Sequence, residues 1–125
     1  MVVAITKQPV ATVDPVLSKA ALRAADQLGV AQGELAAVIG VSPSIVSRAG
    51  RGGPLLANAK ARELATLFVR MFRSLDAIVG GDPVVAARWL REPNLALGTI
   101  PIEAMKTVAG LVATLSYLDA RRALV

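Results

Sequence analysis

The sequence contains no cysteine and no histidine. The first absence excludes a disulfide framework and any thiolate metal site, and it fits a reducing compartment. The second removes the commonest general base and the commonest metal ligand. The nine acidic residues include none placed with a nucleophile or a ligand cluster, so no catalytic centre and no metal site are expected. A glycine-rich strand-to-helix fingerprint for a nucleotide is also missing, so no cofactor is expected. Aromatic residues make up only 3% of the chain, against 54% apolar residues in all. The core must therefore be aliphatic, and 125 residues suffice to enclose it in one domain or two half-sized units.

Long hydrophobic runs are scarce as well. The uncharged segment Thr107 to Leu118 is too short for the ~20 residues of a membrane-spanning helix. The opening MVVAITKQPVATVD has neither a basic n-region nor a long apolar h-region. A cytoplasmic protein with no membrane partner is expected.

No segment alternates apolar and polar residues with period two, so no strand is expected and the chain reads as all-α. Helix punctuation is plentiful. Residues 1–13 lack a helical period and read as a flexible tail. Asp14-Pro15 reads as a cap and first turn, opening a helix to Leu28 with Leu17, Ala21, Leu22, Ala25 and Leu28 inward, and Gly29 ends it. A short helix over 31–39 and a second from Ser42-Pro43 follow, the latter stopped by GRGG.

A long helix spans about 57–79, with Leu64, Leu67, Phe68, Met71, Leu75, Ile78 and Val79 on one face and Arg62, Thr66, Arg70 and Arg73 opposite. Its second apolar shoulder, Ala65, Val69 and Phe72, suits a homodimer or subdomain interface. Asp82-Pro83 starts another helix to about Arg91, and Pro101 a short one through Lys106. Thr107 caps a last helix to about Arg122, with Val108, Leu111, Val112, Leu115 and Leu118 inward.

The net charge of +5 is localised. Arg48, Arg51, Lys60, Arg62, Arg70 and Arg73 face a single acid, Glu63, within their segment, and the rest of the chain is close to neutral. Such an excess marks either a phosphate-binding surface or a solvated helix face. Within QGELAAVIGVSPSIVSRAGR, Ala36 is small where two helices cross, and Gly40 suits a tight turn. Leu35, Ile39, Val41, Ile45, Val46 and Ala49 supply the wedge between them. Gln32, Ser42, Ser44, Ser47, Arg48 and Arg51 remain outside, as candidate contacts to operator DNA. This part of the chain resembles the Xre-type helix-turn-helix of bacterial regulators.

The stretch WLREPNLALGTIPIEAM reads physically as a proline-framed loop between short helices. Trp89 is expected to anchor the core, and Leu95, Leu97 and Ile100 to tuck the loop onto it. Trp89, Leu90, Pro93, Asn94, Leu97, Gly98, Pro101, Ala104 or Met105, Thr107 and Gly110 occur in an order that resembles the toxin-binding domain of the MbcA/ParS/Xre antitoxin family.

After the tail over 1–13, the resemblance implies an Xre-like helix-turn-helix domain over 14–75 and a toxin-binding domain over 76–125. It implies a type II antitoxin that blocks the active site of a RES-domain toxin, an NAD-consuming or ADP-ribosylating enzyme, and represses its own operon. The chain itself would be no enzyme, and a homodimer would place two recognition helices on two half-sites. Asn94, Leu97, Tyr117, Arg121, Arg122, Leu124 and Val125 become the candidate toxin contacts. Family members often place a glycine near the end of the last helix; SYLDARRALV has none, so this tail is expected to stay helical longer. The alternative is a stand-alone dimeric repressor whose C-terminal unit dimerises or senses a ligand.

Overall fold

A computed structural model describes the backbone of residues 3–56 and 58–124, and the side chains of these from Pro15 onward. Among the described residues there are seven helices and no strand: α1 (Val3–Leu28), α2 (Gln32–Ile39), α3 (Pro43–Ala49), α4 (Ala59–Ile78), α5 (Pro83–Arg91), α6 (Pro101–Ala104) and α7 (Val108–Arg122). The only ladder contact among them is an isolated antiparallel bridge between Asn94 and Thr99. The all-α expectation is met.

Local chemistry sets most boundaries. The Ser42 hydroxyl accepts from the Ile45 amide at 3.4 Å, and the Asp82 carboxylate accepts from Val84 and Val85 at 3.0 and 3.3 Å. The Thr107 hydroxyl accepts from Gly110 at 3.0 Å. Each cap satisfies an amide that the first turn leaves without a partner, typically worth about 1 kcal/mol. Gly40 ends α2 at φ +76°, in the left-handed region that glycine adopts without a side-chain penalty.

The start of α1 is a correction. The helix begins at Val3, and Asp14-Pro15 lies inside it, so residues 3–13 are helical instead of irregular. Proline's fixed φ is compatible with a helix; what it forfeits is one amide donor, here the bond to the Ala11 carbonyl.

One apolar cluster runs through the whole chain. Leu28, Leu35, Ile39, Leu55, Phe68, Met71, Leu75, Leu90, Ile102, Met105 and Leu111 are fully buried in it. Each such side chain contributes about 1.5–3 kcal/mol by leaving water. The long helix α4 lies at the centre, packed on α1, α2, α5 and α7. The two halves therefore share one core across α4. Ala65 and Val69 are already covered within the chain, so that shoulder offers little to a second copy.

Inward expectations fail at four positions. Val108 and Val112 are about half exposed, because the buried face of α7 is set by Leu111, Thr114, Leu115 and Leu118. Thr114 tolerates burial by donating its hydroxyl to the Gly110 carbonyl at 2.8 Å. Leu95 is fully exposed. Trp89 is only half-buried, and its neighbour Leu90 is the core anchor of α5.

Candidate functional site

The helix pair α2–α3 is held by small residues at its crossing. Ala36 is buried, and a methyl group at Gly40 would sit 3.6 Å from the Leu64 side chain of α4. Facing away from this core are Ser42, Ser44 and Arg48, with Ser47 half-buried. Gln32 is exposed at the start of α2, and Arg51 is exposed just past α3. The Ser42 hydroxyl is already engaged as the α3 cap and lies 3.2 Å from the Ser44 hydroxyl. The turn after α3 folds back tightly, the Gly53 amide donating to the Arg48 carbonyl at 2.9 Å. That turn holds Arg51 beside the end of the helix.

The basic segment is partly spoken for. Lys60 pairs with Glu63 at 3.4 Å, Arg70 lies 3.7 Å from Asp119, and Arg62 reaches the Leu56 carbonyl. Among the described residues Arg48, Arg51 and Arg73 have no acidic partner. Free cations on and beside an exposed helix can meet phosphate without first breaking an ion pair.

The second cluster sits where α5 meets α7. Trp89 stacks on Tyr117, the ring centroids 6.2 Å apart and the planes 14° from parallel. The Arg121 guanidinium lies over the Tyr117 ring at 5.8 Å, within cation–π range. Leu118 is the last buried residue of α7. Arg121, Arg122 and Leu124 beyond it are exposed; Val125 lies outside the described residues. The helix reaches Arg122, where the sequence pattern ends it.

Asn94 and Leu97 belong to a separate feature. The Asn94 side chain accepts from the Leu97 amide at 3.0 Å, and its backbone bonds to Thr99 and Gly98 close the turn. Asn94 therefore holds the loop together, Leu97 is half-buried, and the side chain at the tip is Leu95. No hydrogen bond, ion pair or ring contact among the described residues joins this turn to the Trp89–Tyr117 stack.

Sequence reasoning missed one constellation altogether. Arg91, the last residue of α5, grips Glu34 of α2 with both guanidinium nitrogens, one of them 2.7 Å from the carboxylate, and donates to the Gly29 carbonyl at 2.9 Å. Glu34 also accepts from the Ala31 amide at 3.0 Å, closing the first turn of α2. The Arg91 hydrogen bonds hold the Glu34 carboxyl down at about 2, and the pairing raises Arg91 above its ordinary value. No local pattern announces a contact spanning 57 residues.

Two family models match the chain. The antitoxin Xre-like helix-turn-helix domain matches residues 11–70, and the antitoxin Xre/MbcA/ParS C-terminal toxin-binding domain matches residues 74–123. The chain belongs to the Xre/MbcA/ParS antitoxin family. The antitoxin thus joins a DNA-binding unit to a toxin-binding unit, the pairing of a type II antitoxin that regulates its own expression. In the antitoxin the α2–α3 pair falls in the first match, and the stack, the Asn94 turn and the exposed end of α7 fall in the second. A comparison with curated proteins found no match. No described helix of the antitoxin is long and apolar enough to cross a membrane.

Proposed function

We propose that this antitoxin neutralises a RES-domain toxin by laying the end of α7 across the toxin's NAD-binding cleft. As a homodimer in the cytoplasm it represses its own operon, with Gln32, Ser44, Ser47, Arg48 and Arg51 at the DNA. The observation that carries the first reading is that α7 overruns its own core. Past Leu118 the helix runs on to Arg122, and Arg121, Arg122 and the following Leu124 are exposed. The same helix is braced at Tyr117 between Trp89 and Arg121. A rigid projection with two cations and an apolar tip fits a cleft built for a dinucleotide. Its arginines can pair with catalytic carboxylates or occupy the positions that recognise phosphate. Tyr, Trp and Arg are also the side chains that most often dominate binding energy.

The test is co-expression with the toxin encoded beside this chain. Asp119 accepts a hydrogen bond from buried Ser74 at 2.6 Å, so a truncation must spare it. Removing residues 121–125 takes the projection and leaves that bond. The full-length chain should restore growth and cellular NAD⁺, whereas the truncated chain should fold and bind DNA but fail to protect. Full protection by the truncated chain would pass the blocking role to the Asn94–Leu97 turn and exposed Leu95. A toxin that leaves NAD⁺ unchanged would overturn the RES assignment itself.

A further inference from the structure

The carboxylate of Glu34 stands in the first turn of α2, two residues from exposed Gln32. In a helix-turn-helix the first helix crosses the nucleic-acid backbone, and helix N-termini are common phosphate contacts. An acid in that turn is costly next to phosphates unless something neutralises it. Here the neutralising group comes from the other half of the chain. Arg91 takes both carboxylate oxygens and anchors itself on the Gly29 carbonyl at the α1–α2 junction. The Glu34 side chain is 20% exposed and Arg91 42%, so the pair sits at the surface, with its charge felt outside. A bidentate arginine also fixes the orientation of the carboxylate, which a lysine cannot do.

We propose that Arg91 is a positioning residue for DNA binding: by masking and orienting Glu34, it makes the N-terminal end of α2 compatible with the phosphate backbone. The inference rests on the DNA-binding reading of α2–α3. It assigns part of that activity to the toxin-binding half, through the last residue of the helix that carries Trp89.

The two alternatives, a masked charge and a mere structural tie, respond differently to substitution. Arg91→Ala leaves a bare carboxylate facing the DNA. Arg91→Ala combined with Glu34→Gln loses the same tie but carries no such charge. The probe is the DNA fragment immediately upstream of the chain's own coding sequence, titrated by anisotropy at low and at high salt.

With Arg91→Ala, binding should weaken about tenfold at ~0.1 M salt, the order expected for an unpaired charge within a screening length of phosphates. The deficit should shrink at ~0.5 M salt, where screening is stronger. The double variant should return to within about threefold of the wild type. Arg91→Ala binding as tightly as the wild type overturns the proposal. So does a double variant as weak as the single one, which would reduce the pair to a structural tie. If the wild-type chain binds neither this fragment nor a random duplex, the DNA-binding reading fails first, and the proposal with it.

Discussion

Gly110→Ala should be among the most damaging single-methyl additions this chain can receive. Gly110 sits in the first turn of α7, where the helix passes directly over the end of α6. A methyl group there would lie 1.8 Å from the Ala104 carbonyl oxygen, 2.6 Å from its carbon and 2.9 Å from the Thr107 hydroxyl. Two of the three obstacles are backbone atoms, so no rotamer change relieves them. Relief requires α6 and α7 to part by more than 1 Å, roughly the shortfall from a normal carbon–oxygen contact of ~3.3 Å. That separation would strain the Thr107 cap (about 1 kcal/mol) and loosen the packing of Leu111 and Met105.

Together with the overpacking itself, a loss of about 3–5 kcal/mol is expected, in the range reserved for backbone clashes and disrupted cores. For a domain of this size that corresponds to a fall in melting temperature of roughly 10–20 °C. The control is Gly33→Ala in α2, where an added methyl meets nothing within 4 Å. That change should stabilise the chain by about 0.5–1 kcal/mol, because alanine loses less backbone entropy in a helix. Thermal and urea denaturation followed by circular dichroism read both. If Gly110→Ala melts within about 2 °C of the wild type, the close approach of α6 to α7 is not as described.

Three further expectations concern the sites. The Glu34 carboxyl is depressed from 4.5 to about 2 by Arg91, so its contribution is complete above pH 4.5 and disappears as pH falls towards 2. Because Arg91 is 42% exposed, solvent screening limits it to about 1–2 kcal/mol. Urea stability measured at pH 6 and pH 3 should show a smaller difference in Arg91→Ala than in the wild type; equal differences would remove the pair from the acid response. Trp89 is the only tryptophan, so Tyr117→Ala should red-shift its emission. The same change should lower stability by about 0.5–1.5 kcal/mol beyond the effect of reduced burial, and an unshifted spectrum would contradict the stack. Replacing Arg48 and Arg51 together with alanine should weaken operator binding and flatten its dependence on log salt by about 2, one for each phosphate no longer neutralised; an unchanged slope would place the DNA elsewhere.

The caps at Ser42, Asp82 and Thr107 and the turn at Gly40 are legible in the sequence because each is a local event, complete within four residues. Even so, local signals mislead at Asp14-Pro15, where a pair suited to starting a helix lies inside one. Asn58 is a further cap of the same local kind: its side chain accepts from the Ala61 amide at 2.8 Å and starts α4, two residues later than the apolar pattern suggests. The buried face of α7 is legible at Leu111, Leu115 and Leu118 but not at Thr114, a polar residue whose hydroxyl is satisfied by a carbonyl one turn back. Size favours Trp89 over Leu90 as the anchor, whereas the geometry of α5 gives the deeper place to the smaller side chain. For the site, the exposed face of α3 and the unburied end of α7 can be read from periodicity. The Glu34–Arg91 clasp cannot, because it depends on how two halves of the chain meet.

The central placement of α4 bears on how such a protein is removed. A chain made of two separately folded modules can be clipped between them, losing one task and keeping the other. Here no linker separates the tasks, since Phe68, Met71 and Leu75 of α4 belong to the same interior as Leu35 and Leu111 on either side. Upstream of the exposed end of α7, a protease must wait for that interior to open, and opening it dismantles both surfaces together. Turnover that starts there lifts repression and inhibition in one event, at a rate governed by the stability of the whole chain.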